Sequence, residues 1–277
     1  MLGREINTKE IISNVQETIK QIIAEKEIKP ILTIIQVGNR PDSNSYVKNK
    51  VKLGAELGVE VRHINLEEDI TEEELLHKVK EVGSGDTHGL IVQLPLPKHI
   101  NERIILNSIP VEKDVDGLGM EQIGRLHSNA KGVHYPCTAL GVSLIINSLT
   151  NVEGKDVIIV NRSNLIGLPL HKILTNQNAT VTVCHSKTND LRNKMRNADI
   201  VVTGIGKADY FDCYDFKDGQ IIIDCSMNIN HEGKLCGDIT KDDILRTLKV
   251  DVASGKGHTG PMTVTCLMLN TVYASMK

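Results

Sequence analysis

The chain has 277 residues, enough for two domains at roughly 100–200 residues each, with 40% hydrophobic and 24% charged residues, as in ordinary globular proteins. A formal net charge of −3, with Lys and Arg dispersed, excludes the basic footprint of a nucleic-acid binder. No run approaches the ~18 apolar residues of a membrane span, and the first ten residues lack a signal-peptide core, so a cytoplasmic protein without membrane contact is expected.

With no Trp, two Phe and five Tyr, the core must rest on Ile, Val and Leu. Residues 7–26 place Ile11, Ile12, Val15, Ile19, Ile22 and Ile23 on one helical face, with Asn7 and Glu10 as a capping box. Residues 31–37 form a β-branched run ended by Gly38, which predicts a buried strand. A loop at 39–42 leads to a helix over 43–57, closed by Gly58. A strand at 59–64, a helix at 71–82 capped by Thr71 and Glu74, and a strand at 89–94 stopped by Pro95 and Pro97 follow. Alternating strands and helices predict a parallel sheet with crossover helices, whose ligands bind beyond the carboxyl ends of the strands.

A helix over 138–149 joins this half to a second of the same logic. Strands are expected at 157–160, 179–184, 199–203, 221–224 and 250–253, with helices from about 168 and over 188–196. This is the pattern of a Rossmann-like dinucleotide domain. The last stretch, 261–276, is apolar at helical spacing and is expected to pack back on the first domain. The class is therefore α/β, with an N-terminal α/β catalytic domain at 1–137, completed by 261–277, and a C-terminal Rossmann-like domain with a parallel sheet at 138–260. The six Cys contain no C-x-x-C pair and read as buried reduced thiols; no metal site is expected.

Tyr46 and Lys50 lie four apart on one helix face, about 6 Å along the axis. A Lys shifts its pKa readily when desolvated and so suits proton handling. The Y-x-x-x-K spacing also occurs in short-chain dehydrogenases, but their glycine-rich nucleotide loop precedes the Tyr and here none does. Gln93, polar inside an apolar strand end, is either a satisfied core group or faces a site. Asp114 and Asp116 alternate in a loop and need not face the same way; turn chemistry before Gly117 is the bland alternative. The turn Asn161-Arg-Ser-Asn-Leu-Ile-Gly167 keeps only one glycine of the dinucleotide fingerprint, yet stands between a strand and a helix N-terminus, which suits a pyrophosphate. The next strand ends in Cys184-His-Ser-Lys-Thr188, with no carboxylate for a ribose 2′-hydroxyl. With Arg162 nearby, that favours NADP over NAD.

Seven strings in order then resemble the bifunctional methylenetetrahydrofolate dehydrogenase/cyclohydrolase family. They are Tyr46-Val-x-x-Lys50, Gly89-Leu-Ile-Val-Gln-Leu-Pro-Leu-Pro97, Lys113-Asp-Val-Asp-Gly117, Pro136-Cys-Thr138, Arg162-Ser163 with Gly167-x-Pro169, Ala179-Thr-Val-Thr-x-Cys-His-Ser-Lys-Thr188 and Gly260-Pro-Met-Thr263. The resemblance implies Lys50 as the central catalytic group, tuned by Gln93, with Tyr46 stacking on the folate rings and Asp116 holding the pterin amino group. It implies Gly260 and Pro261 at the substrate, and Asn161, Arg162, Ser163, Gly167, His185 and Ser186 at NADP, with Arg162 and Ser186 on the 2′-phosphate. It further implies tetrahydrofolate substrates, a cleft between the two domains, a homodimer formed through the nucleotide domains and a place in one-carbon metabolism and purine biosynthesis.

Three departures stand out. The family's glycine at the nucleotide turn is Asn161, a residue that tolerates left-handed backbone. The family's D-V-G-I-N is Asp224-Cys-Ser-Met-Asn228. The family's T-P-V-P-G-G-V-G-P-M-T is Ala253-Ser-Gly-Lys-Gly-His-Thr-Gly-Pro-Met-Thr263, which removes two prolines and adds the titratable Lys256 and His258. The altered loop leaves two alternatives beside the bifunctional enzyme: a dehydrogenase with weak or absent cyclohydrolase, and a non-catalytic folate- or nucleotide-binding homologue.

Overall fold

The computed structural model describes residues 1–277 except Lys256. In chain order the elements are β1 (Arg4–Glu5), α1 (Thr8–Lys26), β2 (Ile31–Val37), α2 (Pro41–Leu57), β3 (Glu60–Leu66), α3 (Glu72–Gly83), β4 (Gly89–Val92), α4 (Glu102–Asn107), α5 (Met120–His127) and α6 (Cys137–Leu149). Then come β5 (Asp156–Val160), α7 (Gly167–Asn176), β6 (Thr180–Cys184), α8 (Leu191–Asn197), β7 (Ile200–Thr203), β8 (Ile221–Asp224), β9 (Asn228–Ile229), β10 (Leu235–Cys236), α9 (Lys241–Thr247), β11 (Asp251–Ala253) and α10 (Thr259–Ala274).

The chain forms two compact units, and neither is contiguous. One contains Asn14–Cys137 with Val264–Lys277; the other contains Met1–Ser13 with Thr138–Thr263. The first thirteen residues therefore group with the nucleotide unit and not with the catalytic one, unlike the expected division at 1–137. The cause is β1, which pairs in parallel with β11, Arg4 opposite Asp251 and Glu5 opposite Val252.

In the first unit, β3, β2 and β4 form a parallel sheet in the order β3-β2-β4. Each strand runs forward through a helix, so α2 leaves the carboxyl end of β2. Helix α2 starts two residues earlier than the expected 43 because Pro41 supplies a preset φ at its first turn. Thr71 and Glu74 cap α3 reciprocally. Leu90 N donates to Lys113 O at 2.8 Å, so the 110–117 segment runs beside β4 as a further, irregular edge. The core is aliphatic, with Ile35, Leu75, Val79, Leu90 and Ile105 buried.

The second unit holds a six-stranded parallel sheet in the order β1-β11-β8-β7-β5-β6. From β5 the winding runs out to β6, then returns past β5 to β7, so direction reverses between β5 and β7. That reversal opens the crevice in which such sheets bind ligands. Both Phe residues, Phe211 and Phe216, are fully buried in this core with Ile222, Ile244 and Val252. Helix α8 begins three residues after the expected 188. The hydroxyl of Thr188 accepts from His185 N at 2.8 Å and Thr188 N donates to His185 O at 2.9 Å, which makes 185–188 a closed turn.

Candidate active site

Helix α2 carries Tyr46 on its exposed side and Lys50 one turn later, half-buried. Lys50 Nζ donates to Gln93 Oε1 at 2.9 Å. Gln93 follows β4, its backbone N bonded to Ile35 O at 2.8 Å and its side-chain amide to Leu94 O at 2.8 Å. Held in this way, the Gln93 oxygen has one orientation toward Lys50. The neighbouring Leu94–Pro95 peptide is cis.

Burial holds the Lys50 amine below its ordinary range, against the opposing pull of Asp116 and Cys137. Those two groups lie close enough to act on Lys50 electrostatically, so Asp116 belongs to the Lys50 cluster. Asp114 does not. Its buried carboxylate accepts from Gly117 N at 3.0 Å and Gly119 N at 2.8 Å, and folds the loop that presents Asp116. Burial raises Asp114 to about 6 despite those bonds. Cys137 is fully buried beneath this cluster; burial first, then Asp116, holds its thiol far above its ordinary range. The C-terminal part of α10 closes the cluster's floor. Asn270 Nδ2 donates to Val115 O at 2.9 Å and to Tyr135 O at 3.0 Å. Sequence reasoning missed Asn270, whose signal was a polar residue within an apolar helix.

In the nucleotide unit, the register pairs Val160 with Cys184. Arg162 and Ser186 thus both stand two residues beyond paired positions at the carboxyl ends of adjacent strands. Arg162 and Ser186 are exposed, and Arg162 makes no ion pair among the described residues. No carboxylate ends β6. An exposed guanidinium and an exposed hydroxyl fit a phosphate on the ribose. His185 turns inward to the 185–188 turn, where Lys187 N bonds its Nδ1 at 3.2 Å.

The helix N-terminus behaves differently from the sequence expectation. Gly167 N donates to Asn161 Oδ1 at 3.1 Å, Leu168 N to Ser163 O at 3.1 Å and Leu170 N to Ile166 O at 2.9 Å, while Pro169 has no N–H. Among the described residues the first turn of α7 therefore offers no free donor to a pyrophosphate. The N–H groups of Asn164 and Leu165 in the turn remain available there instead. Asn161 also adopts no left-handed backbone. Its carboxamide takes the place of backbone freedom: Oδ1 accepts from Ser163 N and Ser163 Oγ, both at 2.8 Å. Gly167 must be glycine, since a Cβ there would lie 1.9 Å from Asn161 O.

The loop before Gly260 and Pro261 is tied to the start of the chain. His258, 7% exposed, meets Thr8 Oγ1 at 2.9 Å through Nδ1 and Glu5 Oε1 at 3.0 Å through Nε2. Glu5 also pairs with Lys241 at 3.0 Å. Lys256, the other new titratable group of this loop, lies outside the described residues.

Two family models match: the tetrahydrofolate dehydrogenase/cyclohydrolase catalytic domain over residues 3–116, and its NAD(P)-binding domain over residues 136–277. The chain belongs to the tetrahydrofolate dehydrogenase/cyclohydrolase family. A "bifunctional protein FolD" from Ligilactobacillus salivarius is 41% identical over 98% of this chain and 95% of its own. The structure of a Campylobacter jejuni bifunctional FolD superposes with a TM-score of 0.92 at 35% identity, covering 98% of both chains. That of a Trypanosoma brucei FolD, complexed with NADP cofactor and inhibitor, gives 0.90 at 31% identity, covering 99% of this chain and 97% of the other. Asn161, Ser226 and His258 are the positions at which the resemblance described above sets glycine. Each forms hydrogen bonds to a different segment of the nucleotide unit.

Proposed function

We infer that this protein oxidises 5,10-methylenetetrahydrofolate to the 5,10-methenyl cation with NADP and hydrolyses that cation to 10-formyltetrahydrofolate. The observation that carries the reading is the Lys50–Gln93 hydrogen bond beside Asp116, set in an α/β unit of the matching family. NADP, when bound, accepts the hydride from the methylene carbon. Arg162 and Ser186 hold its 2′-phosphate, and the turn that Asn161 folds through Ser163 and Gly167 turns the N–H groups of Asn164 and Leu165 to its remaining phosphates.

The methenyl cation is already electrophilic, so the second step needs a placed water and a proton acceptor. Lys50 serves there. Its lowered pKa lets it shed a proton more readily than an exposed lysine, and Gln93 aims the amine. Asp116 binds the pterin amino group by a charge-assisted hydrogen bond. Tyr46, 46% exposed on the same helix face as Lys50, offers its ring to the folate. The family resemblance assigns Gly260 and Pro261 to the substrate as well.

The active form is a homodimer, built through the nucleotide domain. Ile229 and Leu235 sit directly opposite each other on the β9–β10 hairpin and are 69% and 53% exposed, an apolar pair suited to a second copy of the chain. No described helix is long and apolar enough to cross a membrane, and the enzyme acts in the cytoplasm, where its product supplies formyl groups for purine biosynthesis.

The test is a coupled assay with 5,10-methylenetetrahydrofolate and NADP⁺ that follows NADPH and the methenyl intermediate separately. NADPH formation without methenyl accumulation supports the bifunctional reading. Methenyl decaying only at its uncatalysed rate favours the dehydrogenase alone, the reading that the altered 253–260 loop motivates. Folate binding with no turnover of either cofactor overturns both in favour of a binding protein.

A further inference from the structure

The segment after β7, residues 204–207, lies at the carboxyl end of the strand where the sheet reverses direction, beside the turn after β5. Four consecutive residues there are each held by a side chain from elsewhere. Gly204 O accepts from Asn161 Nδ2. Ile205 N donates to Asp238 Oδ2 at 2.7 Å, Gly206 N to Ser226 Oγ at 3.1 Å and Lys207 N to Asp238 Oδ1 at 2.9 Å.

The holding groups are themselves fixed. Ser226 Oγ donates to Asp238 Oδ2 at 2.8 Å, and Asn228 Nδ2 to Asp238 Oδ1 at 3.1 Å. Asp238 N donates to the buried Asp224 Oδ2 at 2.7 Å, which Ser254 Oγ also reaches at 2.8 Å. Gly237 must be glycine for this approach, since a Cβ would lie 1.8 Å from Asp224 Oδ2. Gly206 takes φ +70, a backbone conformation that glycine adopts without strain. Two of the three holding side chains, Asn161 and Ser226, stand where the family pattern quoted above has glycine, which has no side chain to hold the segment.

We propose that Asn161 and Ser226 are positioning residues that latch the 204–207 segment in its cofactor-binding form before NADP arrives. A segment ordered in advance costs the ligand less ordering entropy, so the latch acts on cofactor affinity. The side-chain amide of Asn161 spans the crevice from the β5 turn to the β7 segment; Ser226 holds the segment from the β8 side. The inference rests on the NADP reading above.

The experiment uses the full-length enzyme and three variants, N161A, S226A and the double. Alanine removes the hydrogen-bonding groups without adding glycine's backbone freedom. Hydrogen exchange is measured at 204–207 with and without NADP⁺, with the β5 amides as the control that the sheet is intact. NADP⁺ affinity is measured by titration, and KM and kcat separately. In the wild type these amides are expected to be protected without NADP⁺ and to gain little with it. The double variant is expected to lose protection at Gly206, whose amide has Ser226 Oγ as its partner, regain it on adding NADP⁺, and bind NADP⁺ roughly ten-fold more weakly, read in KM for NADP⁺ more than in kcat. Wild-type amides that become protected only with NADP⁺, or variants that bind NADP⁺ as tightly as the parent, overturn the latch. Absence of NADP⁺ binding by the wild type would instead overturn the cofactor reading beneath it.

Discussion

Replacing Gln93 tests whether Lys50 is the titrating group of the cyclohydrolase step. The Gln93 oxygen lies 2.9 Å from Lys50 Nζ and, as an acceptor only, favours the charged amine. A hydrogen bond to a charged group contributes roughly 1.5–3 kcal/mol, so Gln93→Leu should lower the Lys50 pKa by about one to two units. Gln93→Glu keeps the shape and adds a charge. At 2.9 Å and an effective dielectric of about 20 the gross attraction is about 6 kcal/mol, which desolvation and solvent screening reduce. A rise of at least about one unit survives that reduction. If neutral Lys50 accepts the proton, the rate climbs with pH until Lys50 is deprotonated. The ascending limb should therefore move to lower pH in Gln93→Leu and to higher pH in Gln93→Glu, with the cyclohydrolase rate of the latter at neutral pH down by about ten-fold or more. The assay is methenyltetrahydrofolate hydrolysis against pH, corrected for the spontaneous reaction. Limbs that coincide in all three proteins, or that move oppositely, would refute Lys50 as the base.

Asp116→Asn should raise KM for the folate substrate by on the order of ten- to a hundred-fold, the loss of a charge-assisted bond, while NADP⁺ titration stays as in the wild type. Arg162→Ala should weaken NADP⁺ on a similar scale and leave NAD⁺ kinetics nearly as they were; equal losses for both cofactors would remove Arg162 from the 2′-phosphate. Asp114 and Asp224 are both raised from 3.8 to about 6 by burial. Between those values the folded state binds more protons than the unfolded chain, so these groups make stability fall as pH rises from about 4 to about 6. Carboxyl titrations followed by NMR should place both midpoints near 6, and midpoints near 4 would contradict the burial argument.

The strands β2, β4 and β5 were legible because buried parallel strands demand unbroken apolar runs, and α3 because Thr71 and Glu74 announce its start. Strand β1 was not. It is two exposed, charged residues whose partners lie about 250 positions away, so no local pattern marks it. Spacing and a polar residue at a strand end singled out Lys50 and Gln93, and the family resemblance paired them, as their hydrogen bond in the fold does. The division of labour between Asp114 and Asp116 was not, since direction within a loop is set by which backbone N–H groups converge on which carboxylate. Asn161 was read as a tolerated departure with backbone latitude. Its actual role depends on Gly204, 43 residues on, which only the register of β5 against β7 brings near.

The discontinuity of both units bears on synthesis. During translation the N-terminal segment emerges first, yet its backbone partners Leu245, Val250 and Val252 come some 240 residues later. The catalytic unit likewise waits for Val264 onward. Early strands must therefore stay on the growing polypeptide with open edges and uncovered apolar faces, the condition under which helper chaperones bind and neighbouring nascent copies tangle. A protein cut at any single peptide bond between the halves yields two fragments, each lacking a piece carried by the other. Expression of either half alone is thus expected to give insoluble material unless the missing segment is grafted back.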